Sequence, residues 1–262
     1  MSRREIRAVL PCLASILVGM AGAAHGQSTA ADAKAILKSA SSYVSSLQTI
    51  ELDFDSDIEA VTPELEKIQF TNSGSLTLSR PDRLRAHRVG GYADVALYFD
   101  GKTATVHGKS MDAYAQFALP GTVDQLIEAL RAGHGIAVPG ADLLLSQPYE
   151  ALVADVLDAK HVGRGVVDGA ECEHLAFRNF DTDWQIWVEV GDKPFPRKLV
   201  ITSKTVASAP QYTLRVKRWK SGFTADPAMF QFTPPAGTRQ IGADQLIGLD
   251  ELPPEAPAGA KP

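Results

Sequence analysis

Residues 50–59 constrain the fold more than any other stretch of the chain. Ile50, Leu52, Phe54 and Ile58 alternate with Glu51, Asp53, Asp55, Asp57 and Glu59. An extended strand sends successive side chains to opposite faces, so a period of two builds one apolar and one acidic face. Such a strand belongs in a sheet with one covered face and one wet face, which is typical of antiparallel architecture. The acidic face has two readings, a metal site or a solvated outer surface, and regular alternation favours the second.

The pattern recurs on both sides of a central interruption. Strands are expected at residues 67–80, 83–89, 94–99, 102–107 and 113–119, with Asp100-Gly101 as a hairpin turn. Pro81 cannot donate to a ladder and marks an edge, a bulge or a strand start. Pro120-Gly121 closes this block, and Thr122-x-x-Gln125 forms a capping box ahead of a helix over 123–130. After a Gly- and Pro-containing loop, Pro148 suits the first turn of a helix over 149–157. Strands resume at 161–167, 171–177, 184–190, 197–203 and 211–219, with Asp168-Gly169 as a second hairpin turn. Residues 227–230 suggest one helical turn before a last strand around 231–233. Upstream, Ala35, Ile36, Tyr43, Val44 and Leu47 have helical spacing, so 31–47 reads as an amphipathic helix. The order helix, strands, helices, strands gives an α+β class. The antiparallel sheet has one face covered by the first helix and the central pair.

The first 26 residues read as a cleaved secretory signal. Arg3, Arg4 and Arg7 precede an apolar run over 8–20, and Ala24-His25-Gly26 fits the small-x-small cleavage rule, with Ala21-Gly22-Ala23 as a competing site. The run is too short for a membrane span. The domain plan is then signal peptide 1–26, one domain 27–249 and a disordered Pro/Ala-rich tail 250–262. With 26 Lys+Arg against 31 Asp+Glu, the formal charge is -5, and removing the signal makes it more acidic. Nucleic acid is therefore not an expected partner. Cys12 would leave with the signal, so the mature chain keeps Cys172 as a lone thiol without a disulfide.

Chemistry-bearing motifs are sparse. The sequence has no HExxH, no GxSxG elbow, no P-loop and no GxGxxG. His87, His107, His134, His161 and His174 lack the spacing of a helical metal site. Cys172 and His174 are two apart on an expected strand, which allows either a thiolate–imidazole pair or a buried thiol beside an incidental histidine. No third group orients such a pair, so neither catalytic residues nor a metal or cofactor is expected. Arg83, Arg85, His87 and Arg88, with Arg215, Lys217 and Arg218, read as two basic outer strands. They could meet an anionic headgroup or an acidic partner, or simply be solvated.

Gly74-Ser75-Leu76-Thr77-Leu78-Ser79-Arg80-Pro81, followed by Asp100-Gly101-Lys102-Thr103 and the closing Phe230-Gln231-Phe232-Thr233-Pro234-Pro235-Ala236-Gly237, resembles the lipoprotein-carrier (LolA-like) superfamily. The segments Cys172–Arg178, Asp183–Trp187 and Pro194–Thr202 are similar to the DUF2092 family of predicted periplasmic proteins, over residues 32–241. The resemblance implies a strongly curved antiparallel sheet, an unclosed half-barrel, with helices covering a concave apolar pocket. Arg80 matches the arginine of the R-P motif, which in carriers faces the pocket and can bond the lid. The implied ligand-binding residues are Ile50, Leu52, Phe54, Leu76, Leu78, Arg80 and Leu84. A pocket wall and a core wall share one pattern, so alternation leaves both readings open.

The expected function is non-enzymatic binding, in the periplasm, of a lipid or of lipoprotein acyl chains by a monomer. A membrane-bound donor or acceptor protein is the possible partner. The alternative is an envelope protein-interaction or sensor domain with no transport role.

Overall fold

The computed structural model describes residues 29–133, 136, 138–245 and 252. The expected signal peptide lies outside the described residues, as does His134. Of the tail only Leu252 is described, buried with Ile58, Ala60 and Tyr212.

Helix α1 (Ala30–Ser46) leads into strands β1 (Thr49–Val61), β2 (Lys67–Ser79), β3 (Arg83–Gly90), β4 (Asp94–Phe99), β5 (Thr103–Gly108) and β6 (Ala113–Ala118). Two short helices follow, α2 (Val123–Glu128) and α3 (Pro148–Val153). The chain then forms β7 (Asp158–Val167), β8 (Ala170–Arg178), β9 (Thr182–Glu189), β10 (Pro196–Ser203), β11 (Gln211–Ser221) and β12 (Arg239–Gln240). All twelve strands make one sheet in the order β12-β6-β5-β4-β3-β2-β1-β11-β10-β9-β8-β7. Each half is a meander of neighbouring strands, and β11 returns to pair with β1 at the centre. Every pairing is antiparallel except β12 with β6. The two end strands, β12 and β7, do not pair, so the half-barrel stays open.

Local chemistry explains the turns. Asp168 (φ 47°) and Gly169 (φ 83°) are both left-handed, as a two-residue hairpin matched to strand twist requires. The capping box at α2 forms, with the Thr122 N–H donating to Gln125 Oε1 at 2.8 Å.

The outer face resolves the two charge patterns together. Acidic β1 lies beside basic β11 in a register that sets Glu51 against Lys220 and Asp53 against Arg218. The ion pairs measure 2.8 Å and 2.7 Å. On the other side, the Ser73 hydroxyl donates to Asp55 at 2.7 Å. Among the described residues no three His, Cys, Asp or Glu side chains gather as metal ligands. Exposed pairs of this kind contribute about 0–1 kcal/mol each, so they define the wet face more than they stabilise it. One basic residue departs from its expected place. Arg88 pairs in register with Gly74 and lies on the inner face, not the outer one.

The inner face carries two packed clusters. Beneath α1, Ala33, Leu37 and Ala40 meet Leu175, Phe177, Trp184, Ile186 and Val188 of the C-terminal half. Beneath α2, Val123 and Leu126 meet Ile50, Leu78, Leu84 and Phe99 of the N-terminal half. The expected α1 stripe packs inward at Ile36, Tyr43, Val44 and Leu47, and Ala33, Leu37 and Ala40 complete the buried face. Ala33, Leu37, Ala40 and Val44 are buried while Ala35 is exposed, because the small alanines allow close approach to the sheet.

Two further expectations are corrected. The helix expected over 149–157 ends at Val153. No strand forms at 231–233. There the Phe232 ring wedges against Tyr98, His107 and Tyr114 at centroid distances of 5.3, 5.1 and 4.9 Å. Side-chain packing on the outer face holds this segment instead of ladder bonds, and pairing resumes only at β12.

Candidate functional site

Strand register arranges the inner face of the N-terminal half in rows that cross the sheet. The first row is Ile50, Leu78, Leu84, Phe99 and Ala104. It is packed solid, each member at 3% exposure or less. The next row is Leu52, Leu76, Ala86, Leu97 and Val106. These side chains point the same way, yet the first four are only half-buried. The third row is Phe54, Gly74, Arg88 and Val95.

The half-burial has a direct cause. A cavity of about 280 Å³ opens above the second and third rows and is bordered by Ile50 and Leu84 of the first. Its roof is made by Leu126, Ile127 and Leu130 from the α2 region and by Ile136, Val138 and Leu144 from the following loop. Phe195, Leu214 and Val216 of the C-terminal half close the far side. The volume sits near the lower end of small-molecule pockets, roughly 300–1,000 Å³.

The roof is fastened rather than loosely draped. The Asp124 carboxylate accepts from the Ser146 N–H at 3.0 Å and from its hydroxyl at 2.6 Å. Arg131 makes a two-pronged pair with Asp142 at 2.7 and 2.9 Å, half-buried beside the cavity. That pairing holds the guanidinium pKa above its ordinary value. Gly140 rests directly on the sheet with φ 78°, and a Cβ there would sit 3.2 Å from Leu214 and 3.3 Å from Leu199. Only glycine takes that conformation at that approach without strain. Gly74 serves the floor similarly, because an added Cβ would fall 2.3 Å from the Phe54 ring that lies over it.

The sequence-derived binding residues divide three ways. Ile50, Leu52, Phe54, Leu76 and Leu84 line the cavity. Leu78 does not; it sits in the packed first row at 0% exposure. Arg80 also lies outside the lining. Its Nε and Nη2 are buried with no hydrogen-bond partner among the described residues. Burial lowers its pKa, and the nearby Asp124 of α2 opposes the shift. Residue 80 is nonetheless joined to the roof. The next residue, Pro81, accepts from the Val123 N–H at 2.9 Å, so the end of β2 supports the start of α2. Sequence reasoning did not place Ala86, Arg88, Val95 and Leu97 in the wall. Counting by twos onward from Leu84 would have reached Ala86 and Arg88. The roof loop carries no periodic signal at all.

Cys172 and His174 have separate partners. The thiol is fully buried, donates to the Ala170 carbonyl at 3.5 Å, and is pushed up in pKa by burial. The His174 ring stacks on Trp187 at 4.1 Å and bonds Gln185 at 2.8 Å. A buried thiol with a raised pKa is a poor nucleophile. Native protein should therefore resist iodoacetamide, with Cys172 alkylated only after denaturation. Mass spectrometry of intact protein checks this, and rapid native alkylation would reopen the thiolate–imidazole reading.

Comparison with known proteins follows from this geometry. The profile of DUF2092, described as a predicted periplasmic protein, matches residues 33–243. No curated protein matches the sequence. Among solved structures, an uncharacterised conserved protein from Thermus thermophilus is similar at 8% identity and TM-score 0.44, covering 80% of this chain and 98% of that one. The MucA/MucB complex of Pseudomonas aeruginosa is similar at 15% identity and TM-score 0.45, covering 77% of this chain and 61% of that chain. The Mycobacterium tuberculosis lipoprotein LppX is similar at 10% identity and TM-score 0.39, covering 74% and 98%. Likenesses this remote bring no ligand or partner with them. Among the described residues no helix is long and apolar enough to cross a membrane.

Proposed function

The chain belongs to the DUF2092 family of predicted periplasmic proteins, and from that premise we propose that it is a non-enzymatic binding protein for an acyl-bearing ligand. The ligand is a lipid or a lipoprotein anchor, held in the cavity between the sheet and the α2 roof. One observation carries the reading. Leu52, Phe54, Leu76, Ala86 and Leu97 point into the covered face yet stay only half-buried. A packed core does not leave a contiguous apolar set in that state, because interiors close to crystal-like density. The cavity supplies apolar surface, exclusion of water and a defined volume.

The size suits one chain. Taking a methylene as about the size of a water, roughly 30 Å³, the cavity holds on the order of ten such groups. At about 0.8 kcal/mol per buried methylene, that is about 8 kcal/mol, which corresponds to micromolar affinity before ordering costs. Such cargo binds well enough to leave water and loosely enough to be handed on. Within this reading, Arg80 acts under α2 as a support of the roof, not as a ligand contact.

Native mass spectrometry of protein purified from a periplasmic extract without detergent tests the proposal. The expected result is an added mass that dissociates as a lipid. A clean apo mass that stays clean after incubation with membrane vesicles would remove the carrier reading. Crosslinking for a protein partner would then be the next step.

A further inference from the structure

The rows of the inner face continue past the cavity. Ile58 and Ala60 keep the parity of Leu52 and Phe54 on β1, and Tyr212 of β11 and Phe70 of β2 stand opposite Ile58. Tyr212 and Leu214 belong to the cavity wall, whereas Ile58, Ala60 and Phe70 lie beyond it. Ile58 and Ala60 are nevertheless buried. Every described member of their cluster but one comes from the sheet itself. The exception is Leu252 of the C-terminal tail, 4% exposed. Beyond this cluster the apolar rim is open. Ile68, which pairs with Ala60, is exposed, and so is Tyr92, whose ring meets Phe70 edge-on at 5.5 Å. Chain length fits a contact within one molecule. After β12 has paired with β6, the chain makes a helical turn over Ala243–Gln245. Seven peptide steps separate Gln245 from Leu252, a reach of at most about 25 Å. β6 lies five strands from β1 in the sheet order. At about 4.8 Å per strand that is about 24 Å along the sheet, and less straight across its concavity. The tail is therefore just long enough to bring Leu252 there from its own sheet edge.

We propose that this end of the concave face is the docking site of the chain's own C-terminal tail, anchored by Leu252, and that a long ligand must displace it. The docking goes beyond the acyl-pocket reading above, and the competition rests on that reading. Burial of a leucine side chain favours the docked state by about tenfold to hundredfold. A short tether raises the local concentration of the tail to about the millimolar range, so one anchor suffices where a free peptide would not bind. The competition follows from shared walls. Tyr212 and Leu214 face both the cavity and the Leu252 cluster. An acyl chain of about ten carbons fits the cavity and leaves Leu252 in place. A longer chain runs on toward Ile58 and meets the leucine there.

Methyl NMR of the ligand-free protein tests the docking. A chain ending at Gln245 and the full chain carrying Leu252→Asp should both shift the Ile58 and Ala60 methyl resonances. Ala33 and Leu37, under α1, should stay in place. Unchanged Ile58 and Ala60 resonances in Leu252→Asp would overturn the docking, and this variant decides alone if the shortened chain does not fold. Resonances that move on dilution, as light scattering shows a dimer dissociating, would assign the site to a second copy's tail and overturn it too. Calorimetric titration with decanoate and tetradecanoate tests the competition. Leu252→Asp should bind tetradecanoate about tenfold to hundredfold tighter than the unaltered protein and bind decanoate equally well. Equal tetradecanoate affinity in both proteins would overturn the competition. If neither fatty acid binds either protein while the methyl shifts appear, the acyl-pocket reading fails, the competition falls with it, and the docking stands.

Discussion

Leu78→Ala should cost about 2–5 kcal/mol of folding stability, while Leu52→Ala should cost less than half as much. The two leucines share a strand pair and a face, and the chemistry removed is identical. What differs is the space beside them. Leu78 is fully enclosed by Ile50, Leu84, Phe99 and the α2 residues Val123 and Leu126. Removing its isobutyl group leaves a new void, and the void adds to the lost transfer free energy. Leu52 already borders a cavity of about 280 Å³, so its truncation enlarges an existing space and breaks fewer contacts. Urea unfolding of both variants gives the comparison directly. Equal losses would mean that the second row is packed in solution as tightly as the first, which would remove the physical basis for a binding cavity.

That contrast also marks how far the sequence could be read. The alternation of β1 and the Asp-Gly turns are local signals, and each strand they predict up to β11 forms within a few residues of its expected place. One-sided strands with helices inserted midway gave the covered antiparallel sheet, and the curvature into a half-barrel was implied only by the resemblance to the lipoprotein-carrier superfamily. Whether Leu52 or Leu78 would border open space was not legible. Both obey the same period, and the difference is set by where α2 settles, dozens of residues downstream. Arg88 was misassigned for a simpler reason. Among Arg83, Arg85 and His87 it looks like one more member of a basic outer strand, yet its parity matches Leu84 and Ala86. Read alone, the acidic strand admitted a metal site and the basic strands an anionic partner. Pairing β1 with β11, a contact between residues more than 150 positions apart, satisfies much of both. Residues 231–233 have strand-like composition, but three aromatic rings on the outer face claim Phe232.

Ala86→Trp should abolish acyl binding while leaving the protein folded, with stability unchanged or raised. Ala86 stands in the middle of the half-open row, between Leu76 and Leu97, and its Cβ points into the cavity. An indole there would occupy volume that the ligand needs and would gain apolar contacts with the roof. In a closed core the same substitution is an overpacking error costing about 1–3 kcal/mol or more, because no neighbour can yield. The sign of the stability change therefore separates a cavity from a core, and calorimetric titration with 1-decanol shows whether that cavity is where an acyl chain sits. Loss of decanol binding with an unchanged or higher urea midpoint fits the pocket reading. Retained binding in a stable Ala86→Trp protein would place the ligand elsewhere on the molecule. A sharp fall in stability would mean that the concave face is collapsed. The outer surface would then be the place to look for what this protein recognises, as the sensor reading requires.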